Sequence, residues 1–343
     1  MFSRVTAVRP PWAIQGGRLT IEGSGFQVAD SSLPEVRIGS LRARVVFASP
    51  NRLSVIVPSG LEGGLAPIAI EGVSGETAFV DIAAPLATGL HQVDNPVLDR
   101  DGNLYVTYSG TRGQQVPVSI FRVRPNGTRE TFSSGIVNPT SMAIDPKGRL
   151  YISSRFEGTV YRVNMDGSYE TFATDLGVAC GLAFGKDGTL YVGDRSGTVF
   201  RVDEDGRAAA FATLPASVAA FHLAIGPDQS VYVTAPTLSS VDVMYRLDRG
   251  GQVTPHTIGL GRPQGIAFDA QGTLFVVEAL AGVSGVYRVP DNAQPELALA
   301  GPGLIGLAFD PGGSVVVCTN DTAYRLSEPA SIDRRLRRQE RVQ

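Results

Sequence analysis

Cysteine and histidine are scarce in this chain: 343 residues contain only Cys180 and Cys318, and only His91, His222 and His256. Two cysteines set inside apolar, strand-like runs cannot supply a disulfide framework, so two buried free thiols are expected. His91 and His256 fall where surface positions are expected, whereas His222 opens an apolar strand. An excess of either charge is also missing. Thirty basic against 33 acidic side chains leave a net charge of -3, which excludes a polyanion-binding surface over the whole molecule. No apolar run approaches the roughly 18 residues of a membrane span. The opening "MFSRVTAVRPPWAIQGG" has no apolar h-region. A soluble protein is expected, cytoplasmic as it stands or secreted if a leader was removed. The chain has no G-x-S-x-G, no H-E-x-x-H and no phosphate loop, so neither a nucleotide nor an organic cofactor is expected.

Long helical periods are lacking too, while glycine (40) and proline (22) are plentiful, a balance that points to short strands joined by tight turns. Six copies of one phrase follow one another. The clearest are "SMAIDPKGRLYISSRFEGTVYRVNMDGSYETF" from Ser141, "CGLAFGKDGTLYVGDRSGTVFRVDEDG" from Cys180 and "GIAFDAQGTLFVVEALAGVSGVYRV" from Gly265; weaker ones start at Asn95, His222 and Gly306. Their turns fall at Gly102, Gly148, Gly188, Gln229, Gly272 and Gly313, spaced by 46, 40, 41, 43 and 41 residues. Each copy reads as four strands, and four strands in about 40 residues is a propeller blade. The last copy lacks a fourth strand. "ATGLHQVDNPVLD" before the first copy aligns with "ATDLGVACGLAFG", so a strand near Ala83–Thr88 is expected to complete the last blade and remove two exposed edges.

The expected architecture is therefore all-β: a small Ig-like sandwich over residues 1–82, a six-bladed propeller over 83–329, and a basic tail over 330–343. "GGRLTIEGSGF", "VRIGS" and "RLSVIVPSG" in the first segment resemble the IPT/TIG family. Its charges are scattered, and the tail "SIDRRLRRQERVQ" reads as a solvated terminus, so no nucleic-acid partner is expected. The Asp-x-Asp-Gly at Asp203–Gly206 lacks the later oxygen donors of a calcium loop. Other copies carry turn formers there, so a hairpin turn is expected.

First strands line a propeller's central channel, so the residues that open them ring one mouth. These are Asp94–Asn95, Thr140–Ser141, Cys180–Gly181, Phe221–His222, Gln264–Gly265 and Ile305–Gly306. Loops after the second strands add Tyr108, Arg155, Glu157, Asp194, Arg195, Glu278 and Asn320. The blades are similar to those of the NHL-repeat and SMP-30/gluconolactonase families, on "GIAFDAQGTLFVV" and "GLAFGKDGTLYVGD". The second resemblance implies one divalent cation, calcium or zinc, and hydrolysis of sugar lactones. Its ligands, a Glu, an Asn and an Asp, fall on Asp94, Phe221 and Gln264. Phe221 cannot ligate, and His222 stands beside it. The metal candidates are thus Asp94, His222 and Gln264, with Asp194 or Glu278 as general base. Arg155, Arg195 and Asn320 would hold the substrate. Two functions are expected to compete: a metal-assisted lactone or ester hydrolase acting on a small polar or sugar-like ligand, and a non-catalytic propeller binding a carbohydrate, peptide or protein partner.

Overall fold

A computed structural model describes residues 3–28, 33–239, 241–256, 259–280, 282–290, 294–310 and 312–326. The expected basic tail, 330–343, lies outside the described residues. Within them every regular element is a strand, and no helix is long and apolar enough to cross a membrane.

The first segment is a sandwich in which several strands alternate clearly. In Arg18–Ser24, Leu19 and Ile21 are fully buried while Arg18 is exposed; in Gly64–Ile70, Ala66, Ile68 and Ile70 point inward and Leu65 and Pro67 outward. Period-two alternation of this kind puts one face of each strand on a shared core, here Leu19, Ile21, Val36, Ile38, Leu53 and Val55. The sandwich's last strand is Ala78–Ile82, and the next, Ala84–Ala87, already belongs to the propeller.

Each repeat supplies its strands in the expected order. Leu150–Ser154 of the second repeat pairs with Pro139–Ile144 inside and Thr159–Val163 outside, and Tyr169–Ala173 closes the sheet. Second strands are buried along their whole length, as in Leu104–Thr107, Leu190–Asp194 and Leu274–Glu278, because both of their faces meet neighbouring blades. The acids of the repeated turns fasten those turns. Asp145 Oδ1 accepts from the amides of Lys147 (2.9 Å) and Arg149 (2.8 Å), and Asp269 Oδ1 does the same for Gln271 and Thr273. Asp203–Gly206 is the turn expected, with Gly206 at φ +83°. Ala84–Ala87 pairs with Ala323–Leu326, joining the last repeat to the strand that precedes the first.

The blade count needs correction. Five four-stranded sheets stand alone, rather than the six expected. The four strands of the fifth repeat are instead one end of a twelve-stranded sheet that continues into the sandwich. The physical reason is the outer edge of Glu296–Ala300, which would otherwise offer unpaired backbone groups. Trp12–Ala13 pairs in parallel with Leu299–Ala300 on one side and with Asp81–Ile82 on the other. Ile14 N donates to Ala300 O and Ala83 N to Ala13 O. The innermost strands of all six repeats nonetheless follow one another around one ring, and Leu304–Phe309 meets Val97–Leu98 where it closes.

Candidate functional site at the channel mouth

The residues that open the first strands are mostly buried, with Asn95, Gln264 and Ile305 partly so. Thr140, Phe221 and His222 are fully buried, and Cys180, Ser141 and Asp94 nearly so. The segment Asp94–Asn95 fills the middle. Asn95 Nδ2 donates to Ile266 O (2.9 Å), and its Oδ1 accepts from Leu307 N (3.1 Å). Gly265 and Gly306 are required for this approach. A Cβ on Gly265 would lie 2.3 Å from Asn95 Oδ1, and one on Gly306 would lie 2.6 Å from Asn95 Cα.

Asp94, His222 and Gln264, the three metal candidates, are brought together from the first, fourth and fifth repeats. His222 Nδ1 is hydrogen-bonded to Asp94 Oδ1, and its Nε2 lies 3.4 Å from Gln264 Oε1. Asp94 Oδ1 also accepts from Asn95 N (2.7 Å), and Gln264 is anchored through its carbonyl, which accepts from Thr234 Oγ1 (2.6 Å). This donor set does not fit a divalent cation. Asp94 Oδ1 and His222 Nδ1 are engaged with each other, Gln264 adds only a neutral oxygen, and Phe221 is a buried hydrocarbon where the resemblance calls for Asn. Among the described residues no group of three His, Cys, Asp or Glu side chains could hold a metal ion.

The structure separates Asp194 and Glu278 from each other and fastens each to backbone. Asp194 Oδ1 accepts from Val178 N (2.8 Å) and Ser196 N (3.1 Å), and its Oδ2 bonds the Ser196 hydroxyl. Glu278 accepts from Gly261 N (2.6 Å), Arg262 N (2.9 Å) and Leu280 N (2.6 Å). Both carboxyls are buried, with 4% and 1% of their residues' surface exposed. The same strand-end position carries Ser154, whose hydroxyl donates to Val137 O, and Thr234. In Ser154, Asp194 and Glu278 it ties a second strand to the loop that leads into the first strand of the same repeat. Both acids expected as general bases thus hold loops through their carboxylates.

What remains available at the mouth is two arginines, an asparagine and one acid: Glu157 is exposed, and its Oε2 accepts from the Tyr161 hydroxyl (2.9 Å). Arg155 is half-buried and has no ion pair among the described residues. Burial holds its guanidinium below the usual arginine range, and the nearby Arg195 charge works in the same direction. Arg195 is exposed and donates to Ser217 O (3.2 Å). Asn320, also exposed, is tied by Nδ2 to Gln92 O (3.2 Å). His91 is half-buried rather than at the free surface, edge-on to Tyr108 at 6.0 Å. Its pKa is lowered by burial and then by the Arg155 charge. Cys180, which opens the first strand of the third repeat, is buried, and burial pushes its thiol up to about 12. Gln92 was missed by sequence reasoning, and Asn95, named there only as a ring position, turns inward across the channel. The small residues at ring positions Gly265 and Gly306 are the signal that a side chain must enter there.

Residues 3–81 match the model of the IPT/TIG domain. Among curated proteins none matches significantly in sequence. Solved structures share the fold. A putative gluconolactonase is 17% identical over 71% of this chain and 91% of its own, with a TM-score of 0.58. An auxiliary nutrient binding protein from Bacteroides ovatus is 13% identical over 95% of this chain and 98% of its own, at 0.54. A catalytically inactive histidine-to-alanine variant of virginiamycin B lyase from Staphylococcus aureus, solved with quinupristin, is 14% identical over 86% of this chain and 100% of its own, at 0.54. At these identities the likeness is one of β-propeller architecture.

Proposed function

We propose that this protein is a binding propeller that captures a small polar ligand through an anionic group at the channel mouth, with Arg155 and Arg195 as its cationic contacts and Asn320 at the rim. One observation carries the reading: Arg155 is half-buried without a carboxylate partner among the described residues. A desolvated, unpaired guanidinium is costly unless an anion visits it, and its planar fork suits a carboxylate. Under this reading the Asp94–His222 bond is a strut across the channel, and Asp194 and Glu278 shape the surrounding loops. Calorimetric titration with gluconate, with glucose as the neutral control, tests it. Gluconate binding that falls at least tenfold in Arg155→Ala supports the reading; equal binding of glucose, or an unchanged Arg155→Ala, sinks it.

The Asp94–His222 pair favours a second reading, a lactone or ester hydrolase. Donation of Nδ1–H to Asp94 fixes the tautomer and leaves Nε2 as a base on the Gln264 side. His222 is fully buried, so this reading needs Gln264 to move before a substrate reaches the imidazole. It predicts lactone turnover that survives EDTA and vanishes in His222→Ala. The binding reading predicts no turnover in either protein.

A further inference from the structure

A cleft of about 560 Å³ lies between the sandwich and the fifth repeat, remote from the channel mouth. Its sandwich wall is the outward face of three paired strands. Arg9 lies opposite Thr20, and Thr20 opposite Ser54; Arg18 and Arg52 each stand two residues before a member of that row, so alternation puts them on the same face. The inward residues of these strands, Leu19, Ile21, Leu53 and Val55, are fully buried in the sandwich core. Three guanidiniums therefore face the propeller. Arg9 and Arg18 have no ion pair among the described residues, and Arg52 lies over the ring of Phe47 at 4.7 Å. One acid, Glu296, lines the opposite wall, 3.8 Å from Arg288, so the cleft lining carries three arginines against one carboxylate. Ser54 is only 5% exposed and its hydroxyl has no hydrogen-bond partner among the described residues. Tyr287 contributes a second aromatic ring, from the propeller wall.

We propose that this interdomain cleft binds an acidic oligosaccharide, one whose sugar rings carry carboxylates. Guanidiniums pair with carboxylates bidentately. Tyr287 offers a ring face to the sugar, Phe47 carries the Arg52 guanidinium on its ring, and Thr20 and Ser54 offer hydroxyls to the sugar's polar edge. A second cleft of about 590 Å³ shares Phe47 and Arg52 and continues over Thr6 and Glu22, so the surface suits a chain longer than one sugar. The site exists only when both walls are held together, as the Trp12–Ala13 pairing holds them.

The test is calorimetric titration of the full chain with a galacturonate trimer, a neutral galactose-based oligosaccharide of equal length and a single-stranded oligonucleotide. Binding of the galacturonate trimer alone is expected, weakening with salt. Arg18→Ala with Arg52→Ala should reduce it by tenfold or more, and Arg18→Lys by less, because charge remains without the fork. Both arginines are exposed, and an unchanged melting temperature checks that the double variant folds. No binding of the trimer, equal binding of the neutral oligosaccharide, tighter binding of the oligonucleotide, or an unaffected double variant would each overturn the proposal. Retention of trimer binding in Arg155→Ala separates this cleft from the channel mouth; its loss there overturns the assignment to the cleft.

Discussion

His222 of the fourth repeat is hydrogen-bonded through Nδ1 to the carboxylate of Asp94 in the first, and both side chains are buried. These repeats stand opposite each other in the ring, so the bond braces the structure across its middle. Removing one partner leaves the other desolvated and unpaired, which typically costs about 3–5 kcal/mol. His222→Ala and Asp94→Leu should each lose stability of that order in urea titrations. The double variant should lose much less than the sum, since the coupling of residues in contact exceeds about 0.5 kcal/mol. Additive losses would remove the brace.

Glu278 separates structural from catalytic service. Three backbone amides point at its carboxylate, and hydrogen bonds to a charged group are worth about 1.5–3 kcal/mol each. Glu278→Ala should lower unfolding free energy by about 3 kcal/mol or more, and Glu278→Gln by less, since one oxygen remains to accept. A general base would behave otherwise: Glu278→Gln would abolish turnover at nearly full stability.

His91 reports on the mouth by titration. Its pKa is depressed, by burial first and by Arg155 second. The unfolded chain therefore binds more protons than the folded one below about pH 6.5, the ordinary histidine value. The contribution of His91 is full above that pH and is lost as pH falls through the folded pKa. Arg155→Ala should raise the His91 pKa seen by NMR, and gluconate bound at Arg155 should raise it too. A His91 pKa indifferent to both would place Arg155 elsewhere.

Cys180 and Cys318 are free and buried, and burial pushes both thiols up, Cys180 to about 12. The thiolate is the reactive form, so neither should react with a disulfide reagent at pH 8 in the native protein. Both should react within minutes in denaturant, and fast native labelling of Cys180 would show that the channel opens.

The repeats, their four-strand order and the strand that completes the last of them were legible in the sequence, because turn residues and period-two alternation are local and recur. Leu150–Ser154 and Leu274–Glu278 announce themselves by the same apolar run. The proximity of Asp94, His222 and Gln264 followed from alignment of the repeats, but the bonds among them did not. Distances across a ring depend on which side chains the opposite blades allow inward, and Asn95 enters only because Gly265 and Gly306 lack a Cβ. Asp194 and Glu278 looked like free acids for the same reason, since the amides they accept come from loops whose paths no local pattern encodes. The fusion of the fifth repeat to the sandwich through Trp12–Ala13 was invisible as well. Pairing between segments almost 300 residues apart is settled by which sheet edges meet, and that decided both the blade count and the basic cleft between the two walls. The sequence determined the strands, their order and the chemistry available on them; tertiary structure decided which of those groups are spent on each other and which are left for a ligand.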